Sequence, residues 1–189
     1  KKIKFKKIIN LSSSSLYPNI NGKFNEKSKI SFSKNNDHDY AAAKYYTEKI
    51  LNTNFSKKKI LHLRIGQIFG NLKDSTIISE MKRNLIKKNS IEILGNGKRE
   101  ISIIHIKKLV EYINFCMTKN LYGIYNISDY TISIIKISEI LKKKYGRKKT
   151  NVKFKFKKIS NFKFDLVASK FFKKSKIKKP ELKDLLNEI

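Results

Sequence analysis

The sequence predicts an α/β protein built on a parallel sheet. Two apolar runs, Ile8-Ile9-Asn10-Leu11 and Lys59-Ile60-Leu61-His62-Leu63-Arg64-Ile65, have the near-continuous hydrophobicity of strands covered on both faces. Between them lies a segment whose apolar residues recur at helical spacing, and strand, helix, strand in this order implies a right-handed parallel unit. Past residue 70 strand-like and helix-like segments go on alternating to the C-terminus. A length of 189 residues provides for one substantial core, or one and a half small ones.

Taken in order, residues 1–17 read as a helix tail, a strand and a turn of hydroxyls, Ser12-Ser13-Ser14-Ser15. No capped element precedes that strand, so the chain is expected to begin in the middle of a fold. Residues 18–36, rich in Asn and Ser, read as a loop long enough to be functional. Asp37 or Asp39 can cap a helix to about Asn54, with Ala43, Tyr46, Ile50 and Leu51 on its apolar stripe. The second strand closes at Gly66-Gln67-Ile68-Phe69-Gly70-Asn71. A helix over 75–88, a strand over 91–94, a Gly95-Asn96-Gly97 turn and a strand over 100–106 follow. Residues 107–119 read as helix and 123–127 as strand, and Ser133 caps a helix that Gly146 stops. Residues 152–158 alternate with the period of a half-buried strand, and Pro180 opens a last short helix.

Composition narrows the function classes. A net charge of +29 suggests a phosphate-rich partner, yet only Arg64, Arg83, Arg99 and Arg147 of the 44 basic residues are arginines. Surfaces that read bases depend on the bidentate guanidinium. The joint abundance of Lys, Ile and Asn instead fits an AT-rich coding sequence and argues against nucleic acid as partner. A basic, non-enzymatic nucleic-acid-binding protein is the alternative class, and it predicts affinity falling steeply with salt. Cys116, the single cysteine, sits in an apolar run and reads as a small buried hydrophobe; a reducing, cytoplasmic setting is expected. No apolar stretch approaches the ~20 residues that cross a bilayer, so no membrane partner is expected. No residues have metal-ligand spacing, and His62 and His105, on strands without a carboxylate nearby in sequence, read as packed side chains.

Tyr40 and Lys44 carry the chemical signal. Four positions apart on a helix, with alanines between, a phenol and an ammonium point the same way. A phenol serves as a general acid or base near neutral pH where a positive charge favours phenolate, and the ammonium supplies it. A serine hydroxyl at the adjacent strand end can hold a substrate oxygen beside the phenol. Tyr-x-x-x-Lys alone is a weak pattern; joined to the strand-end serines and the following parallel strand, it points to a proton-transfer site.

With Glu48, these residues resemble the NAD-dependent epimerase/dehydratase family, extended short-chain dehydrogenase/reductases acting on nucleotide sugars. The resemblance is carried further by Asn10-Leu11-Ser12-Ser13-Ser14-Ser15-Leu16-Tyr17 and Leu63-Arg64-Ile65-Gly66-Gln67-Ile68-Phe69-Gly70. Ile93-Leu94-Gly95-Asn96-Gly97 with Ile104-His105-Ile106, and then Gly123-Ile124-Tyr125-Asn126-Ile127, continue it. Residues from Asp165 through Ser169 and Lys170 to Pro180 look like the family's substrate lobe.

The resemblance implies a partial doubly wound, Rossmann-type parallel sheet with a small mixed α/β substrate domain. Residues 1–70 and 101–127 would be the remaining part of the NAD-binding domain, and 71–100 and 128–189 the substrate-binding domain. It implies NAD or NADP as cofactor, a nucleotide sugar as substrate, and a homodimer of the full-length enzyme. Ser13, four residues before Tyr17, takes the place of the catalytic hydroxyl, Tyr40 that of the general acid/base, and Lys44 that of the group binding the nicotinamide ribose. Gln67 stands where the family often has an asparagine that contacts substrate or cofactor, and the longer amide changes the reach. Arg99 lies near the family's arginine for the nucleotide diphosphate, although the registered position, four before His105, is Ile101. Ser14 and Ser15 replace the acidic residues that accompany the hydroxyl in dehydratases, which favours an epimerase or reductase.

One part of the pattern is missing. The family holds the cofactor pyrophosphate on a Gly-x-x-Gly-x-x-Gly turn at a helix N-terminus, and this sequence has no such turn. Gly95 and Gly97 precede a strand and cannot serve. The expectation is a C-terminal part of an enzyme, folding marginally, binding NAD weakly or not at all, and inactive alone.

Overall fold

Residues Ile60–Ile65 are buried without exception, and the strand they form is the middle of a parallel sheet. The computed structural model describes residues 5–33, 35–70, 76–155 and 162–188. In chain order the elements are β1 (Ile8–Ser13), β2 (Gly22–Phe24), α1 (His38–Asn54), β3 (Ile60–Ile65) and β4 (Gln67–Phe69). Then come α2 (Ile77–Lys88), β5 (Ser90–Leu94), β6 (Glu100–His105), α3 (Ile106–Thr118), β7 (Gly123–Ile127) and β8 (Tyr130–Ser133). The chain finishes with α4 (Ile134–Tyr145), β9 (Asn151–Lys155), β10 (Phe164–Leu166), α5 (Ser169–Ser175) and α6 (Leu182–Glu188). No helix among the described residues is long and apolar enough to cross a membrane.

β1, β3 and β7 pair in parallel in that order, with Ser13 opposite Ile65 and Ile65 opposite Ile127. The register aligns the carboxyl ends of all three strands, where open α/β sheets bind their ligands. Leu61, Leu63, Tyr125 and Ile127 of the sheet pack with Leu109, Tyr112 and Cys116 of α3 and with Phe171 and Phe172 of α5. A second core joins α2, α4, β5, β6 and β8 through Met81, Leu85, Ile91, Ile103, Ile132 and Leu141. β4 lies parallel to β6, which runs antiparallel to β8; β5 pairs with β9, and β2 with β10. The turn from β3 into β4 needs Gly66, because a Cβ there would lie 2.7 Å from the Ser102 carbonyl oxygen. Gly95 and Gly97 make the expected turn after β5, and the structure puts both in the left-handed region at φ 68° and 71°.

Several expectations are corrected. Phe5, Lys6 and Lys7 are not helical, and residues 1–4 lie outside the described residues, as do Asn71, Ser75 and 156–158. The 18–36 segment is not all loop, since it contributes β2; Gln67–Phe69, expected only to close the second strand, forms β4; and β8, β10 and α5 have no counterpart in the sequence reading. β9 forms where alternation placed a strand, but it is mostly exposed rather than half-buried.

The largest correction concerns α1. Its expected apolar stripe faces outward, with Tyr46 62% and Ile50 60% exposed, while the side turned inward is represented by Ala41 and Glu48. Glu48 is 4% and Arg64 3% exposed, and they form a bidentate pair with Nε to Oε1 at 3.0 Å and Nη2 to Oε2 at 2.8 Å. The Ser12 hydroxyl donates to Glu48 at 2.6 Å, and Arg64 Nη1 donates to the Tyr17 hydroxyl at 3.0 Å. Tyr17 donates onward to Asn126 Oδ1 at 2.9 Å, and the Asn126 amide donates to the Phe24 carbonyl at 3.0 Å. Burial disfavours the Glu48 carboxylate, but the Arg64 and Ser12 bonds outweigh it and hold its pKa below the ordinary value. Removing one member of such a pair leaves an uncompensated buried charge. Glu48→Ala is therefore expected to cost about 3–5 kcal/mol in urea unfolding, and exposed Tyr46→Ala within about 0.5 kcal/mol of no effect. A larger loss at Tyr46 than at Glu48 would contradict this packing.

Candidate active site

A cleft of about 840 Å³ opens at the carboxyl ends of β1 and β3 and gathers the sequence-predicted residues. Ser13, Tyr40, Lys44, Gln67 and Arg99 all line it, from the end of β1, α1, β4 and the segment just before β6. Ser12, Ser14, Ser15, Asn19, Asn36, Asp37 and Thr76 add polar groups, and Ile101, Phe162 and Phe164 an apolar side.

Ser13 and Ser12 have different work. The Ser12 hydroxyl is committed to Glu48, whereas Ser13 Oγ accepts the Ser15 amide at 3.1 Å as cap of the short 3₁₀ turn Ser14–Leu16. That bond uses a lone pair, and among the described residues none accepts the Ser13 proton. Lys44 Nζ donates to the Leu11 carbonyl at 2.9 Å and lies 5.4 Å from the centre of the Tyr40 ring. The ammonium is thereby fixed at the end of β1 on the phenol's side of α1. Tyr40 is 51% exposed, and its hydroxyl has no hydrogen-bond partner among the described residues. A phenol and a serine with free hydroxyls thus share one cleft with an anchored amine.

Among the described residues lining the cleft, Arg99 is the other cation. Its Nε is buried without a hydrogen-bond partner, and its guanidinium carbon lies 4.9 Å from the centre of the Phe162 ring. Burial lowers its pKa, and the Asp37 carboxylate opposes that shift. Arg99 lies just before β6 and Ile101 near its start, and both line the cleft. Among the described residues no group of His, Cys, Asp and Glu could hold a metal ion. Sequence reasoning missed Asp37 as a site residue, since an Asp before a helix reads as its cap.

A polar cleft at the carboxyl edge of a parallel sheet defines the molecule as an open α/β, Rossmann-type protein. Its sequence matches the NAD dependent epimerase/dehydratase family over residues 1–128, and the chain belongs to that family. A search of the curated proteins finds no relative. Among solved structures it is similar to UDP-glucuronic acid 4-epimerase from Bacillus cereus, in complex with UDP-glucuronic acid and NAD. There the TM-score is 0.81 and the identity 21%, over 98% of this chain and 60% of that one. It is similar to UDP-N-acetylglucosamine 4-epimerase from Methanobrevibacter ruminantium M1 in complex with UDP-N-acetylmuramic acid, at TM-score 0.76 and 17% identity, over 97% and 60% of the two chains. The dTDP-glucose 4,6-dehydratase of Bacillus anthracis, in complex with NAD, gives TM-score 0.76 and 16% identity over 93% and 57%. At such identities the likeness is one of fold, and the chain spans 57–60% of the length of these structures.

The two strand histidines are packed, as expected. His62 bridges Asn10 at 2.9 Å and Asn52 at 3.2 Å, and Glu48, remote in sequence, is close enough to act on it electrostatically. His105 caps α3, its Nδ1 accepting the Lys107 amide, and packs edge-on against Phe69. Cys116 is fully buried, and burial pushes its thiol up to about 11. Burial lowers the pKa of His62 and of His105, with Arg64 adding at the first and Lys107, Lys82 and Lys108 at the second. Below the ordinary histidine value the unfolded chain therefore binds more protons than the folded one, so stability is full above it and lost as pH falls toward the folded values. Urea midpoints are expected to drop between pH 7.5 and 5.5, with a slope of at most about 1.4 kcal/mol per pH unit for each imidazole. His62→Gln should flatten that slope; an unchanged slope would contradict the assignment.

Proposed function

We propose that this chain carries the substrate side of an NAD(P)-dependent nucleotide-sugar epimerase or reductase. The observation that supports it is the single cleft lined by Ser13, Tyr40, Lys44, Gln67 and Arg99. Residues 1–70 and 101–127 would belong to the dinucleotide-binding domain, and 71–100 and 128–189 to the substrate-binding domain.

The residues present fit the nicotinamide end of the cofactor. Lys44 is anchored at the edge of the sheet with donors to spare, and the Tyr40 hydroxyl is open beside it. A bound NAD or NADP supplies the hydride acceptor at a sugar carbon. Ser13 donates its proton as a hydrogen bond to the reacting sugar oxygen and fixes it. Tyr40 takes the proton of that hydroxyl as its O–H bond breaks, and Lys44 stabilises the phenolate form needed for the transfer. Arg99, desolvated on Phe162 with an unsatisfied Nε, is suited to the diphosphate, since charge-assisted bonds to phosphate would satisfy it. Gln67 offers a donor and an acceptor at the same wall. The outward-facing Tyr46 and Ile50 of α1 support a homodimer of the full-length enzyme.

The pyrophosphate turn has no counterpart in the sequence, so the 189-residue chain is expected to bind NAD weakly or not at all and to lack turnover alone. Tight binding in a calorimetric titration would overturn that part. In a protein that joins this chain to a complete dinucleotide-binding half, Tyr40→Phe should lower turnover by on the order of 10²–10⁴ while NAD affinity stays unchanged. Full retained turnover would refute the role given to Tyr40.

A further inference from the structure

We infer that Asp37 sets the substrate class, admitting a nucleotide sugar that is uncharged at its hexose and discriminating against one that carries a carboxylate. This rests on the reading that Arg99 takes the diphosphate, and it adds a recognition element at the sugar end of the same cleft.

Asp37 occupies the N-cap position of α1 but makes no side-chain bond to that helix. An aspartate in this position ordinarily accepts an amide of the first turn. Here its Oδ2 instead accepts the Ser15 hydroxyl at 2.5 Å, which carries the carboxylate across to the serine turn two residues beyond Ser13. Asp37, Tyr40 and Lys44 follow one another at spacings of three and four, the intervals that keep side chains on one helix face, and all of them line the cleft. The carboxylate therefore stands one turn from the proposed proton-transfer group.

The charges in the cleft divide by function. Among the described residues lining it, Asp37 is the one acid, and Lys44 and Arg99 are the cations. Lys44 is held by the Leu11 carbonyl. Arg99 lies within electrostatic reach of Asp37 and is claimed by the diphosphate. Among the described residues no further cation lines the cleft, so a uronic acid would set its carboxylate against Asp37 without a counter-charge from them. Hydroxyl groups of a neutral hexose would instead donate to the open carboxylate oxygen, with Ser15 fixing the other one. Like-charge juxtaposition is a strong means of rejecting a competing ligand.

The test titrates UDP, UDP-glucose and UDP-glucuronic acid into the 189-residue chain, with ligand-observed NMR as readout. The chain should bind UDP-glucose about tenfold more tightly than UDP-glucuronic acid. Asp37→Asn keeps the size of the side chain and an acceptor for Ser15. It should bring the two sugars to within about twofold by strengthening the uronate, with UDP affinity unchanged. Asp37→Ser, which can restore a cap bond to α1, should behave the same way, and circular dichroism verifies the fold of both. Equal affinity for the two sugars in the unaltered chain, or a preference that survives both substitutions, overturns the role of Asp37. In that case UDP binding that weakens in Arg99→Met leaves the diphosphate reading standing. UDP that does not bind, or that binds Arg99→Met equally well, overturns that reading and this inference with it.

Discussion

Mutual burial of Glu48 and Arg64 is the constraint on which the remaining architecture rests. α1 turns its large apolar residues outward, so the contact that seats it on the sheet is polar. An isolated ion in such a place is prohibitively costly, and a pair is tolerated only when its remaining valences are filled. Ser12 fills one on the acid, Tyr17 one on the base, and Asn126 extends the set to the carbonyls of Phe24 and Val167. A single network therefore ties α1 to β1 and β3, and then to β7, β2 and the segment after β10. Tyr40 and Lys44 precede Glu48 by eight and four residues, so they emerge from the same side of α1, at the cleft. What positions the chemistry is the polar seat of the helix, with the apolar cores behind it.

The strand ends supply the other half of the arrangement. β1 lies at one side of its three-stranded sheet, and near its carboxyl end the Leu11 carbonyl holds Lys44. The serine turn that follows caps itself through Ser13, whose hydroxyl proton has no acceptor among the described residues. Backbone geometry thus prepares both a fixed amine and an available donor before any ligand arrives.

Much of the fold was legible because its parallel unit is local in sequence and strongly patterned. β1, β3 and β7, the helix after Thr76 and the Ser133 cap all follow from periodicity and punctuation. β2 and β10 were not, because each is three residues long and Gly22 pairs with Phe164, far away in the chain. The inverted face of α1 was misread for a similar reason. Periodicity finds an apolar stripe, but which stripe faces inward was decided by Arg64, a residue on another element. At the site, the spacing of Tyr40 and Lys44 and the position of Ser13 were visible, and the place of Asp37 was hidden behind the ordinary meaning of a helix cap. Arg99 lies two positions from the expected register, just before β6, and it lines the same cleft as Ile101.

A crystal structure of the chain with a bound UDP-hexose examines the convergence of these groups. One sugar oxygen is predicted to lie within roughly 3.2 Å of both Ser13 Oγ and Tyr40 Oη, with the diphosphate against Arg99. A hexose seated away from both hydroxyls, or a nucleotide sugar bound on another face of the molecule, would contradict it.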